Sequence, residues 1–107
     1  MVSKEALTVE DKQRDYELTL IISPEVGDEA LDTTIAGISQ FITGKGGIIS
    51  EVEQWGKRKL AYPIRHFMEG SYVLIQLKMK PTLSKELEAN LQISEEILRY
   101  LLIKSGS

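Results

Sequence analysis

One ten-residue stretch, from Gly56 to Arg65, most constrains what this chain can fold into. Its side chains alternate between two sides with a period of two, which is typical of a β-strand. One side carries Arg58, Leu60, Tyr62 and Ile64, and the other carries Lys57, Lys59, Ala61 and Pro63. Because proline has no amide proton to donate to a sheet ladder, the strand is predicted to lie at a sheet edge or to contain a bulge.

The same region concentrates positive charge in an acidic protein. Residues 56–66 hold four of the thirteen Lys and Arg residues and no Asp or Glu, whereas the whole chain carries a net charge of −3. The remainder has nine basic residues against sixteen acidic ones. An edge strand with both cations and apolar groups suits docking, but such an acidic chain does not bind nucleic acid by charge alone.

Hydrophobic periodicity predicts the element order β-α-β-β-α-β. Apolar residues recur every second position in four segments and every third or fourth position in two others. The predicted strands are residues 16–22, 48–65, 72–79 and 97–104, and the predicted helices are residues 28–43 and 82–92. Residues 66–70 are predicted to form a turn, and a bend is expected near Gly56.

This order predicts a ferredoxin-like α+β sandwich, a four-stranded antiparallel sheet with two helices on one face. The first and third strands are expected at the centre of the sheet, because they are the most apolar strands and contain no proline. A chain of 107 residues fits one domain. We assign residues 16–105 to that domain and residues 1–15 to a flexible N-terminal extension.

Composition excludes several classes of site. The chain has no Cys and one His, His66, so disulfides, thiolate chemistry and a two-histidine metal site are ruled out. Glu51 and Glu53 share one face of a strand and could do acid–base work, but a solvated strand face is the simpler interpretation. No apolar run approaches the roughly 20 residues that cross a bilayer. We therefore expect no enzyme activity, cofactor, metal, small-molecule substrate or membrane partner.

The basic stretch also carries a family resemblance. The pattern Gly56-x-Arg58-x-Leu60-Ala61-Tyr62-Pro63-Ile64, after a strand that ends in Trp55-Gly56, resembles the signature of the bacterial small-subunit ribosomal protein six family. The similarity continues in three more segments: Tyr16-Glu17-Leu18, Gly70-Ser71-Tyr72-Val73 and Ile97-Leu98-Arg99-Tyr100. It covers residues 14 to 105, most of the chain.

The resemblance implies a structural component of the small ribosomal subunit, located on the cytoplasmic ribosome. Members of that family bind the central domain of the small-subunit ribosomal RNA as a heterodimer with a basic partner, small-subunit ribosomal protein eighteen. Carried over by position, the implied RNA-binding residues are Lys57, Arg58, Lys59 and Arg65. The implied partner-binding residues are Leu60, Tyr62 and Ile64.

Other interpretations of the same residues stay open. The fold is also typical of non-catalytic regulatory or ligand-binding domains. An RNA-recognition motif has the same element order but stacks bases on aromatic residues of its third strand, where this chain offers only Tyr72, followed by Leu74 and Gln76. The apolar residues of the signature could be plain core, and its cations could be an ordinary solvated edge.

Overall fold

The elements of the fold follow the predicted order. The computed structural model describes residues 13–105. The elements are β1 (Arg14–Ile22), α1 (Asp28–Gly44), β2 (Ile48–Ile64), β3 (Phe67–Met79), α2 (Pro81–Gln92) and β4 (Ile97–Lys104). Pro81 is the first residue of α2, a position where its missing amide proton is not needed. No helix in this part of the chain is long and apolar enough to cross a membrane.

The N-terminal extension that the sequence predicts, residues 1–15, lies mostly outside the described residues. Its last two members belong to β1, where Arg14 pairs with Met79 and Asp15 pairs with Lys78. The side-chain amide of Gln13 donates a hydrogen bond of 2.6 Å to the carbonyl oxygen of Gly46. The ordered domain therefore includes residues 13–15.

The four strands form one antiparallel sheet in the order β2-β3-β1-β4. This order confirms that the first and third strands are central and that the second is an edge. The ladder between β2 and β3 is interrupted between the pairs Lys59–Glu69 and Ile64–Phe67. Pro63 lies inside that interruption, so its missing amide proton costs no ladder hydrogen bond.

The core lies between one sheet face and both helices. Alternate residues of the two central strands are buried, as are the inward residues of both helices, and all of them belong to one apolar cluster. The helix residues in this cluster are Leu31, Ile35, Ile38, Ile42, Leu83, Leu87 and Leu91. Both helices therefore cover the same face, as the sequence predicts. We call the opposite face of the sheet the open face.

The connection between β2 and β3 is shorter than expected. The prediction of a turn over residues 66–70 is wrong: the turn is the pair Arg65-His66, and β3 begins at Phe67. Gly70 suggests a turn in the sequence, but here it is a strand residue that β1 approaches closely. A Cβ atom on Gly70 would lie 2.5 Å from Cγ2 of Ile21, so the close approach explains the glycine.

The hairpin of β2 and β3 projects beyond the rest of the sheet. Pairing between β1 and β3 ends at Ile22 and Ser71, whereas pairing between β2 and β3 continues to Ile64 and Phe67. At its tip, Arg65 and His66 have φ angles of 52° and 74°. A two-residue turn with both residues at positive φ suits the twist of a hairpin, but it favours Asn and Gly at these positions.

The core predicts a sharp contrast between two leucines. Leu87 of α2 is 0% exposed, whereas Leu101 of β4 is 57% exposed. Leu87→Ala should lower the free energy of unfolding by about 3 kcal/mol, because it leaves a cavity in the cluster. The matched change Leu101→Ala should cost less than about 1 kcal/mol. Urea titration of both variants measures the difference, and equal losses would contradict this description of the core.

The turn predicts that glycine stabilises the hairpin tip. His66→Gly should raise the free energy of unfolding by about 1 kcal/mol, because glycine adopts positive φ without a steric penalty from Cβ. His66→Ala removes the imidazole but keeps Cβ, and it is expected to give no gain. Thermal unfolding of the two variants separates the effect of relieving backbone strain from the effect of removing the imidazole. A gain in both would assign the effect to the imidazole.

Candidate nucleic-acid interface

The predicted cations of β2 divide between the two sides of the hairpin. Arg58 pairs with Gly70. Gly70 lies two positions before Tyr72, whose side chain is on the open face. Lys57 pairs with Ser71, whose side chain is buried on the helix side. Side chains alternate along a strand, so Arg58 projects on the open side and Lys57 on the other. All of the predicted cations are exposed to solvent.

The four predicted cations differ in their surroundings within the protein. Lys59 lies directly across the ladder from Glu69, which offsets its charge. Arg65, at the hairpin tip, donates a hydrogen bond of 3.3 Å from Nη1 to the carbonyl oxygen of Glu95. This bond ties the tip to the connection between α2 and β4. Lys57 and Arg58 face no acidic residue across the ladder and are better placed to meet phosphate.

The apolar signature residues line a cleft on the open face. Leu60, Tyr62 and Ile64 contribute to the walls of a cavity of about 390 Å³. Thr19, Ile21, Tyr72, Arg99, Tyr100, Leu101 and Ala61 complete the lining. None of the three signature residues belongs to the core cluster, and Tyr62 is 56% exposed. The hairpin therefore leaves an exposed aromatic side chain beside the cleft.

Arg99 is a residue of this cleft that the sequence prediction missed. Its Nη1 donates a hydrogen bond to the hydroxyl oxygen of Tyr62, and its guanidinium carbon lies 5.8 Å from the centroid of the Tyr62 ring. The alternation of β4 gives a signal for it, because Arg99 and Leu101 share the open face. The contact with Tyr62 spans 37 residues of sequence, so no local pattern shows it.

Trp55 is the second residue that the sequence prediction missed. It lies at a bulge of β2, between Gln54 and Gly56, where the register with β3 shifts and Gly56 has a φ of 84°. Its indole Nε1 donates a hydrogen bond of 2.9 Å to Oε1 of Glu53. The guanidinium carbon of Arg58 lies 5.6 Å from the centroid of its ring. The spacing of Trp55 and Arg58 around a glycine is the only sequence signal for this pair.

The end of the open face that is farthest from the hairpin tip is acidic. Glu51 and Glu17 both pair with Gln76, from opposite sides. Glu53 lies two residues after Glu51 on the same face, so three carboxylates share this end. A hydrogen bond with the Glu53 side chain, together with its negative charge, raises the pKa of Glu51. The open face therefore changes from negative at the β1 start to positive along the hairpin.

Within residues 13–105, no group of three His, Cys, Asp or Glu side chains is placed to hold a metal ion. His66 lies at the exposed hairpin tip, and on β2 Glu51 is exposed and Glu53 is partly buried. What the site offers is cations, aromatic rings and an apolar cleft, which are groups for binding.

Proteins from several bacteria are similar in sequence to this chain. The family described as Ribosomal protein S6 matches residues 15–104. The small ribosomal subunit protein bS6 of Moorella thermoacetica is 40% identical over 91 residues, covering 85% of this chain and 93% of that protein. The protein of the same name from Dehalococcoides mccartyi is 43% identical over 90 residues, covering 84% and 83%. These relatives are ribosomal structural proteins, not enzymes.

A solved structure shares the fold as well. The crystal structure of 30S ribosomal protein S6 from Thermotoga maritima has a TM-score of 0.83 to this chain and 33% sequence identity. The match covers 88% of this chain and 89% of that one. Sequence and structure agree over nearly all of the described domain, and the chain belongs to the ribosomal protein S6 family.

Proposed function

We propose that this chain binds small-subunit ribosomal RNA, in its central domain, together with a basic ribosomal protein, small-subunit ribosomal protein eighteen. As a member of the ribosomal protein S6 family, the chain is a component of the small ribosomal subunit on the cytoplasmic ribosome. The proposal adds a contact with the RNA and a contact with the partner protein. Each is supported by a different region of the surface.

The observation that carries the RNA contact is the projecting hairpin. The hairpin extends beyond the last residue pair between β1 and β3. It carries the four cations of residues 56–66 at exposed positions. Phosphate attraction is the main sequence-independent source of affinity for nucleic acid. Glu69 is the one carboxylate among residues 58–70, the part of the hairpin beyond the β1 ladder, so this part can approach a phosphate backbone with little repulsion.

The net charge supports a basic partner. A chain of −3 gains little overall from the field of RNA, so a cationic subunit must supply much of the attraction. The cleft beside Tyr62 offers that subunit an apolar docking place, and the carboxylates of Glu17, Glu51 and Glu53 offer it complementary charge on the same face. The chain can then connect the partner and the RNA through different surfaces.

The proposal is tested by assembly from pure components. The protein is mixed with the basic partner, with a central-domain RNA fragment, and with both, and the complexes are separated by size exclusion. We expect weak binding to RNA alone and a stable complex of all three. An RNA of equal length from another domain is the control, and equal binding to both RNAs would overturn the proposed specificity.

For the partner, Tyr62→Ala is expected to weaken binding by about 2 kcal/mol or more, because it removes an exposed aromatic anchor at the cleft. The change Met68→Ala, at another exposed apolar residue of the hairpin, is the matched control and should change affinity little. Calorimetric titration gives the affinities, and thermal unfolding checks that both variants are folded. Unchanged affinity in folded Tyr62→Ala would move the interface elsewhere.

For the RNA, single alanine changes should lower the salt dependence of binding unequally. Lys57→Ala and Arg58→Ala should each reduce the slope of log affinity against log salt by close to one unit. Lys59→Ala and Arg65→Ala should reduce it less, because Glu69 across the ladder offsets the charge of Lys59 and the Glu95 carbonyl already accepts a hydrogen bond from Arg65. Lys85→Ala on α2 is the control. The measurement uses the partner-bound complex. An unchanged slope in all four variants would mean that the partner makes the phosphate contacts.

A further inference from the structure

The exposed indole of Trp55 is not explained by packing. The side chain is 44% exposed and stands outside the core cluster. Bulges often redirect a side chain beside a functional surface, and the bulge at Gly56 places Trp55 outside the regular ladder with β3. A large aromatic surface left in water is a typical feature of a binding position.

Two polar contacts fix the indole before any ligand arrives. Glu53 accepts the hydrogen bond from Nε1, which fixes the orientation of the indole. The Arg58 guanidinium lies over the ring, which leaves a cation beside the aromatic surface. Glu53 pairs with Leu74, on the face opposite the buried Val73 and Ile75, so its carboxylate holds the indole towards the open face.

We propose that Trp55 and Arg58 form a stacking site for one unpaired RNA base. This inference rests on the RNA binding proposed above and adds the chemical group that is recognised. Unpaired bases stack on aromatic rings and on guanidinium planes, and the stacking tolerates any base because every base has a flat π-face. Arg58 can stack and also attract the adjoining phosphate.

The surroundings of Trp55 differ from those of Tyr62, the position proposed for the protein partner. Arg58, which lies over the indole, has no acidic residue across the ladder and can attract the phosphate of a bound nucleotide. The Glu53 carboxylate is engaged by the indole itself. Tyr62 differs, since its ring borders an apolar cleft with Leu60 and Leu101. The two arginine–aromatic pairs of the open face therefore serve different ligands.

The chain supplies its own probe, because Trp55 is its only tryptophan. The protein labelled with 5-fluorotryptophan gives one fluorine resonance, whatever tryptophans the partner contains. The resonance is recorded for the free protein, after addition of the unlabelled basic partner, and after addition of the central-domain RNA fragment. We expect a small change with partner and a clear upfield shift with RNA, from the ring current of a stacked base.

Three variants measure the contribution to affinity in the partner-bound complex. Trp55→Leu keeps an apolar side chain without a ring and should weaken RNA binding roughly tenfold. Trp55→Phe keeps a stacking face and should retain most of the affinity. Arg58→Lys keeps the positive charge but removes the planar guanidinium group. It should therefore weaken RNA binding while the salt slope stays unchanged. Ile93→Ala, at an exposed residue after α2, is the control.

Each outcome decides the proposal. Loss in Trp55→Leu with retention in Trp55→Phe, together with the fluorine shift on RNA addition, supports a stacking site. Full RNA affinity in folded Trp55→Leu overturns it and leaves the RNA-binding function standing. A fluorine shift that is complete with partner alone also overturns it, because Trp55 is then a protein anchor. Absence of any RNA complex with the unchanged protein overturns the proposed function as well.

Discussion

One-sided burial of the sheet is the constraint on which the rest of this structure depends. The two helices cover a single face, and the central strands bury every second residue against them. Since the side-chain period of a strand is two, the intervening residues must point to the open face. Burial of large aliphatic side chains supplies most of the favourable free energy of such a domain. The open face is thereby free to carry residues chosen for binding.

The projecting hairpin obtains its shape from local backbone features. A bulge with positive φ at Gly56 interrupts the ladder, and a two-residue turn with positive φ at Arg65 and His66 closes it. Neither turn residue is glycine, so the tip holds a conformation that L-residues adopt at a steric cost. The hydrogen bond from Arg65 to the Glu95 carbonyl helps hold it in place. Strain of this kind persists where the surroundings over-determine it, often near functional surfaces.

Periodicity was sufficient to predict the order of the elements, the central strands and the edge position of β2. Those features follow from side-chain alternation and from the missing amide proton of Pro63, which are local properties. The predicted turn was wrong because a glycine such as Gly70 is common in turns, whereas here the close approach of Ile21 requires a glycine within the strand. The Arg99–Tyr62 and Arg65–Glu95 contacts join residues 37 and 30 positions apart. Such contacts arise only after the strands pair, so the sequence could nominate residues for the site but not their partners.

The two edges of the sheet differ in how they are protected. The outer edge of β2 carries Lys57, Lys59 and Pro63, which are features that discourage a further strand from pairing. The outer edge of β4 contains no proline, and its exposed Leu101 and Ile103 are apolar. The β4 edge, whose only charged residues are Arg99 and Lys104, is therefore the less protected template for β-sheet growth. A partner that covers the β4 edge therefore also removes a template for self-association.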